Sequence, residues 1–212
     1  MDILNNQSVD IAFALVDTIK SNKEYLGEID GAIGDGDHGI NMAKGFTMAG
    51  ERLKSEGTDT LGEGLQVIGD VLLMDIGGSM GPLYGSFFGE MGEVCSKYDT
   101  IDREAFAEMI DAGLAGIQAL SKAKVGDKSL IDCLVPACNA YHAAMDQNKD
   151  FAACLRDFRA ASDAGWESTK DMVASIGRAS RLGERSRGTY DAGATSCHLI
   201  LACISDELLK KI

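Results

Sequence analysis

Apolar residues recur every three or four positions along most of the chain, which is the spacing of one face of an α-helix. In the segment "VDIAFALVDTIKSN", which follows Ser8, they occupy positions 9, 11, 13, 15, 16 and 19. No run alternates apolar and polar residues convincingly, as a half-buried β-strand would. The pattern therefore predicts an all-α protein with a helix directly after Ser8.

Six further segments have the same helical period. Asp102 precedes the clearest of them, "REAFAEMIDAGLAGIQALSKA", and "TDT" provides an N-cap before "TLGEGLQVIGDVLLMDIG". The others are "INMAKGFTMAGERLKS", "SLIDCLVPACNAYHAAMDQ", "FAACLRDFRAASDAGWESTKDMVAS" and "GATSCHLILACISDELLKKI". Only two prolines interrupt 212 residues, and no linker is visible. We predict about eight helices joined by short loops, mostly antiparallel, in a single domain covering residues 1–212.

Composition narrows the class of protein. A net charge of -13 argues against nucleic-acid binding, which needs a basic face. No apolar run has transmembrane length, and no basic stretch precedes an apolar core at the N-terminus, so we expect neither a membrane span nor secretion. The six cysteines include no CxxC pair and are interpreted as small buried apolar residues in a reducing cytoplasm.

Residues 28–45, "EIDGAIGDGDHGINMAKG", form an acidic segment that breaks the helical pattern. Four carboxylates fall within ten positions, at Glu28, Asp30, Asp35 and Asp37. Mg²⁺ prefers such oxygen ligands and would relieve their repulsion. A calcium loop counted from Asp30 would need an acid where Asn41 stands. The alternative is a solvated acidic turn that favours the positive end of the next helix, and His38 could either contact a ligand or cap that helix.

Residues 76–92, "IGGSMGPLYGSFFGEMG", form a glycine segment in which Pro82 suits the first turn of a helix. Exposed amides at such a helix start bind phosphate well. The alternative is a tight crossing of two helices that needs small residues. Residues 122–132, "KAKVGDKSLID", form a lysine segment, which predicts a turn and an N-cap ahead of a helix.

Residues 176–196, "IGRASRLGERSRGTYDAGATS", form an arginine segment with half of the chain's arginines: Arg178, Arg181, Arg185 and Arg187. Guanidinium groups suit phosphate oxygens. The alternative is that these arginines pair with the protein's own acids. Taken together, the four segments indicate a Mg²⁺–nucleotide site on a helical scaffold.

The four segments also resemble, in order and over nearly the whole chain, the motifs of the dihydroxyacetone kinase L subunit family. The matching stretches are "IGDGDHGINMAKGF", "GGSMGPLYGSFF", "GDKSLIDCLVP" and "GRASRLGERSRG" with "DAGATS". The resemblance implies a closed barrel of eight antiparallel helices. ADP or ATP would lie at one rim of the barrel, under a lid rich in arginine and glycine.

The resemblance also implies a set of site residues. Asp30, Asp35 and Asp37 would hold two Mg²⁺ ions that bridge the phosphates. Phosphate would be contacted by His38, Gly39, Ile40, Asn41, Ser79 and Met80. The rest of the nucleotide, or its lid, would be lined by Ser121, Leu130, Arg178, Asp191, Ala192 and Gly193. No catalytic nucleophile is expected in this chain.

The family implies partners as well. A separate K subunit would carry the ketose covalently on a histidine, and a phosphotransferase M subunit would rephosphorylate bound ADP with phosphoenolpyruvate as ultimate donor. ATP-dependent relatives exchange their nucleotide instead. Two alternatives stay open: a kinase subunit for another short sugar such as erythrulose, and a nucleotide-binding regulator that engages a transcription factor.

The chain departs from the family pattern at four positions. Thr189 and Ala192 stand where the family often has His and Pro, Met80 replaces a small hydroxyl residue, and Ser121 replaces Gly. We expect the changes at Thr189 and Ala192 to loosen the lid.

Overall fold

The computed structural model describes residues 3–212, and within them nearly all regular structure is helical. Two short strands, β1 (Ile3–Leu4) and β2 (Thr100–Ile101), pair antiparallel. The nine α-helices are α1 (Val9–Ser21), α2 (Lys23–Ile33), α3 (His38–Glu56), α4 (Leu61–Asp75), α5 (Met80–Cys95), α6 (Arg103–Leu120), α7 (Ile131–Asp146), α8 (Phe151–Ser168) and α9 (Ala192–Leu209). Three 3₁₀ helices cover Asn5–Gln7, Thr169–Asp171 and Ala179–Ser186.

Eight of the helices form a closed ring. Each helix packs on the next in the order α1, α3, α4, α5, α6, α7, α8 and α9, and α9 packs back on α1. Neighbours in the ring run antiparallel: Gly45 of α3 meets Leu72 of α4, and Lys211 beyond α9 pairs with Asp10 at the start of α1. The all-α prediction is confirmed, and this ring matches the expected barrel. Because directions alternate, α3, α5, α7 and α9 all begin at the same end.

The ninth helix, α2, was not predicted. It packs at that end against α3 and α9, and its second half overlaps the acidic segment. Leu26, Ile29 and Ile33 have helical spacing, and Leu26 and Ile33 are buried. Two glycines and several acids among them hid the pattern. Asp30 therefore lies on a helix and not on a flexible loop, which fixes the position of this candidate site residue.

The predicted helix starts are confirmed. Thr60 and Glu63 form a reciprocal capping box at α4. Asp102 accepts a hydrogen bond from the Ala105 amide at 2.8 Å at the start of α6. Ser8 precedes α1 as expected, although its hydroxyl donates to the Leu4 carbonyl and does not cap the helix.

The core is filled by aromatic and aliphatic side chains from every helix of the ring. Phe88 packs edge-on against Phe46 and Phe87, and Phe106 packs against Phe158 in a second cluster. All six cysteines are free and buried, as predicted. Helix α9 is long and apolar enough to cross a membrane by length and composition alone, but 67% of it is buried inside the fold, as is typical of a core helix.

Close approach of α4 and α5 depends on glycine. A Cβ on Gly69 would lie 2.6 Å from the backbone nitrogen of Gly89, and one on Gly81 would lie 2.0 Å from the Ile76 carbonyl oxygen. Gly77 and Gly78, by contrast, have open space around them. Both interpretations of the glycine segment therefore hold for part of it. Its helical part packs tightly, and its first residues are free to approach a ligand.

We predict that Gly69→Ala destabilises the fold by about 1–3 kcal/mol, because its new methyl group would collide with the α5 backbone. Gly89→Ala is the matched control, since a Cβ there meets no other atom within 4 Å. Alanine at that helical position should stabilise by roughly 1 kcal/mol. Urea unfolding measures both values, and equal effects of the two substitutions would contradict the packing described.

Candidate functional site

A cavity of about 520 Å³ opens at the end of the ring where α3, α5, α7 and α9 begin. Its walls come from the end of α2, the loop before α3, the loop before α5, the loop before α7 and residues 176–179. In the described part of the chain, the N-cap residues of α3, α5 and α7 accept no hydrogen bond from their helices through their side chains. Helix starts carry partial positive charge and free amide donors, so the cavity is suited to an anion with several oxygens.

Three carboxylates meet on one side of this cavity. One oxygen from each of Asp30, Asp35 and Asp37 lies within 4.8 Å of the other two. Asp30 is on the last turn of α2, and the other two are in the short connection to α3. A Cβ on Gly34 would lie 2.2 Å from the Asp30 Oδ1 atom, so the backbone leaves room for this carboxylate. An all-oxygen donor set of this size suits Mg²⁺.

One arginine of the arginine segment forms an ion pair with the acidic trio. The Arg178 guanidinium pairs with the Asp35 carboxylate across the cavity. Arg187 pairs with Glu184 at 3.1 Å, whereas Arg181 and Arg185 have no acidic partner within residues 3–212. Pairing with the protein's own acids thus accounts for two of the four arginines. Arg178 places a full positive charge beside the acidic trio.

His38, the first residue of α3, connects the trio to the core. Its backbone amide donates to Asp30 Oδ2 at 3.2 Å, and its Nε2 atom lies 2.9 Å from the Ser196 hydroxyl. Burial lowers the pKa of the His38 imidazole to about 4, although Asp30 partly offsets this. The ring is therefore neutral at physiological pH and does not act as a positive charge toward a phosphate.

Lys128 ties the arginine segment to the barrel. Its side chain is buried, and its Nζ atom donates to the carbonyl oxygens of Ser186 at 2.5 Å, Thr189 at 2.6 Å and Met172 at 3.2 Å. Burial lowers the pKa of this ammonium, and Asp191 partly offsets that effect. Lys128 has a φ of 64°, an uncommon value for a side-chain-bearing residue. The predicted turn is confirmed, and it serves to aim this cation inward.

Asp191 lies at the start of α9 and lines the cavity. It accepts a hydrogen bond from the Ala194 amide at 2.7 Å and so caps the helix. Burial raises the pKa of the Asp191 carboxyl to about 6, although the Ala194 amide and Lys128 oppose this. A carboxyl with this pKa is still mostly ionised at pH 7, so Asp191 keeps a negative charge at the cavity.

Comparison with known proteins identifies the family. The model of the DAK2 domain matches residues 32–206. The chain belongs to the DAK2 domain family. It is 38% identical to the ADP-binding subunit DhaL of PEP-dependent dihydroxyacetone kinase 1 from Listeria innocua, over 182 residues that cover 86% of each chain. It is 33% identical to the corresponding DhaL subunit from Escherichia coli, over 97% of this chain and 98% of that one.

The fold has a solved counterpart. The dihydroxyacetone kinase from C. freundii, crystallised in complex with AMP-PNP and Mg²⁺, superposes with a TM-score of 0.69 at 24% identity. The match covers 97% of this chain and 34% of that larger chain. At this identity the likeness establishes the fold of this DAK2 domain and nothing further about its ligands.

The structure brings most of the sequence-predicted site residues of this DAK2 domain together. Twelve of them line the cavity: Asp30, Asp35, Asp37, His38, Asn41, Ser79, Met80, Leu130, Arg178, Asp191, Ala192 and Gly193. Three do not. Gly39 packs on α2, Ile40 is 58% exposed, and Ser121 ends α6 outside the lining. The ligand contacts of all fifteen stay predictions.

Sequence reasoning missed two residues of the cavity that organise it. Tyr84 and Lys128 line it and are buried, yet each stands in a segment interpreted only for its glycines or its turn. A charged residue flanked by Gly126 and a helix start was a usable signal for Lys128. No signal marked Tyr84, since a buried tyrosine in a helix is ordinarily a core residue.

The departure at position 189 does not leave the arginine segment of this DAK2 domain detached. The Thr189 carbonyl is held by Lys128. The Tyr190 ring stacks on Trp166 with 4.6 Å between centroids, and the His198 ring also stacks on Trp166, with 4.5 Å between centroids. The aromatic stack and the buried ammonium together hold the segment against the barrel.

We predict that Lys128→Met loosens this attachment, because three carbonyl groups lose their donor at a cost of about 1–3 kcal/mol for each group left buried without a partner. Thermal unfolding should show a lower Tm, and fluorescence of Trp166, the sole tryptophan, should report a changed Tyr190 stack. Lys124→Met is the control, since Lys124 is exposed four positions earlier. Equal behaviour of the two variants would exclude the anchoring role.

Proposed function

We propose that this chain is the nucleotide-binding subunit of a dihydroxyacetone kinase and holds ADP or ATP through Mg²⁺ in the cavity. The observation that carries the proposal is the acidic trio, with its oxygens within 4.8 Å of one another, facing a cavity at which four helices begin. Family membership supports it, as do the relatives described as ADP-binding subunits.

Asp30, Asp35 and Asp37 are proposed to hold two Mg²⁺ ions. When bound, Mg²⁺ would neutralise phosphate charge and orient the phosphoryl group for transfer. Arg178 then leaves Asp35 and becomes available to phosphate oxygens. Phosphate contacts at the starts of α3 and α5, through backbone and side-chain donors, are assigned to His38, Gly39, Ile40, Asn41, Ser79 and Met80. The remaining nucleotide contacts are assigned to Ser121, Leu130, Asp191, Ala192 and Gly193.

Phosphoryl transfer depends mainly on positioning and charge neutralisation, so no nucleophile is required in this chain. The neutral imidazole of His38 and the buried carboxyl of Asp191 fit this division of labour. The acceptor ketose is proposed to be carried by a separate K subunit. A phosphotransferase M subunit with phosphoenolpyruvate is the proposed donor system, and a cytoplasmic location follows from that assignment.

Exposed apolar side chains flank the cavity end and support docking of the K subunit there. Met74 near the end of α4 is 76% exposed, and Leu120 at the end of α6 is 57% exposed. Val125 in the lysine segment and Ile40 at the start of α3 are exposed to a similar degree. Apolar groups around the mouth of a polar cavity are typical of a surface that closes against a partner.

The deciding experiment is phosphoryl transfer to dihydroxyacetone bound to a K subunit. This chain is supplied either with Mg²⁺ and ATP, or with Mg²⁺, ADP, phosphoenolpyruvate and the phosphotransferase proteins including an M subunit. We expect dihydroxyacetone phosphate to form with one donor system. Asp35→Asn should lower nucleotide affinity by roughly 100-fold or more, since its carboxylate contributes to a metal contact worth several kcal/mol, while helical circular dichroism stays unchanged.

Asp146→Asn serves as the matched control, because it removes the same charge at the exposed far end of α7. Nucleotide bound without sugar phosphate would favour the regulatory alternative, and transfer to erythrulose alone would favour the other sugar. Absence of retained nucleotide in native mass spectrometry with Mg²⁺ and ADP, or normal affinity in Asp35→Asn, would overturn the proposal.

A further inference from the structure

A chain of polar contacts links α5, α9 and the first residue of α3. The Tyr84 hydroxyl lies 2.7 Å from the Ser196 hydroxyl, which lies 2.9 Å from Nε2 of His38. Both hydroxyls also reach the Gly193 carbonyl oxygen, at 3.0 Å and 3.1 Å. Tyr84 and Ser196 are buried, so the partners of these groups are set by the protein.

Counting hydrogens distinguishes the two neutral tautomers of His38. A serine hydroxyl donates one hydrogen bond and accepts two, and a neutral imidazole donates from one nitrogen only. With the proton on Nε2, the ring donates to the Ser196 hydroxyl. One of the two hydroxyls donates to the Gly193 carbonyl oxygen, and the other hydroxyl donates to the first, which gives three hydrogen bonds. With no proton on Nε2, the Ser196 hydroxyl must donate to the ring. The Tyr84 hydroxyl then donates the only other hydrogen bond, so the total is two.

One additional buried hydrogen bond favours the Nε2–H tautomer by a factor of roughly 2 to 12. In that tautomer, Nδ1 carries a lone pair and no hydrogen. Within residues 3–212, Nδ1 of His38 has no hydrogen-bond partner, and it is not among the buried atoms left unpaired. Since His38 lines the cavity, this lone pair is open to it.

A lone pair attracts a donor and repels a phosphate oxygen. The donor that the neighbouring carboxylates would bring to this place is a water molecule on the bound cation, because Mg²⁺ keeps several of its waters in protein sites. Second-shell groups that receive such hydrogen bonds orient the metal's ligands. The phosphate contacts at the start of α3 then fall to donors other than the His38 side chain.

We propose that Ser196 and Tyr84 are positioning residues that hold His38 as the Nε2–H tautomer, so that Nδ1 accepts a hydrogen bond from a water ligand of the divalent ion at the aspartate trio. This inference rests on the proposed function, since it assumes that the trio binds Mg²⁺. It adds the role of the His38 side chain and the two residues that set it.

Long-range proton–nitrogen NMR of the full chain with ¹⁵N-labelled imidazoles tests the tautomer directly. His38→Gln assigns its signals among those of the three histidines. We expect the Nε2–H pattern at pH 7.5 without metal, and a shift of the Nδ1 signal on addition of Mg²⁺ alone. A dominant Nδ1–H pattern, or an Nδ1 signal that does not respond to Mg²⁺, would overturn the inference.

Variants at one buried position give the second test. Ser196→Ala should mix the two tautomers and weaken Mg²⁺ binding, measured calorimetrically with ADP, by roughly three- to tenfold. Ser196→Thr keeps the hydroxyl and should restore both the Nε2–H tautomer and the Mg²⁺ affinity. Ser205→Ala is the matched control, because Ser205 is buried on the same helix and its hydroxyl has no hydrogen-bond partner within residues 3–212.

The two proposals fail separately. If Asp35→Asn binds Mg²⁺ and ADP normally, the proposed function is wrong. If Asp35→Asn loses binding while Ser196→Ala keeps wild-type Mg²⁺ affinity and the Nε2–H pattern, only the positioning role is wrong.

Discussion

Repulsion among three neighbouring aspartates is the constraint on which the site depends. Two unit charges 4 Å apart interact with about 1 kcal/mol in water and about 4 kcal/mol near a protein surface. The trio is crowded to within 4.8 Å by the end of α2 and the short connection to α3. Such crowding requires positive charge from elsewhere. The start of α3 provides a partial charge, and Arg178 provides a full one.

The barrel places that positive charge next to the aspartates. Eight helices in alternating directions bring four helix starts to one end, and α2 adds the acids at the same end. The arginine segment is anchored independently of any ligand, through Lys128 and the Trp166–Tyr190 stack. The proposed exchange of Asp35 for a phosphate by Arg178 therefore needs no detachment of its segment.

Sequence reasoning predicted the helices well where apolar spacing was clear and where a cap such as Thr60 or Asp102 marked the start. It also predicted the acidic trio as a metal site, because three aspartates crowd into eight residues with no lysine or arginine among them. Helix α2 was missed because glycines interrupt its apolar stripe at Leu26, Ile29 and Ile33.

Long-range contacts were beyond reach for a different reason. The contact of Tyr84 with Ser196 and that of Lys128 with Thr189 join residues far apart in the chain, and only closure of the ring brings them together. Neither residue type in isolation points to such a role. The family resemblance named twelve residues that line the cavity and three that do not, and it did not specify which nitrogen of His38 carries the proton.

The most direct test of the account is a crystal structure grown with ADP and Mn²⁺, whose anomalous signal locates the ions in place of Mg²⁺. The account predicts two ions bound by Asp30, Asp35 and Asp37 against the diphosphate, with Arg178 moved away from Asp35. Carboxylates that point into solvent without an ion, with Arg178 still paired to Asp35 beside bound ADP, would contradict it.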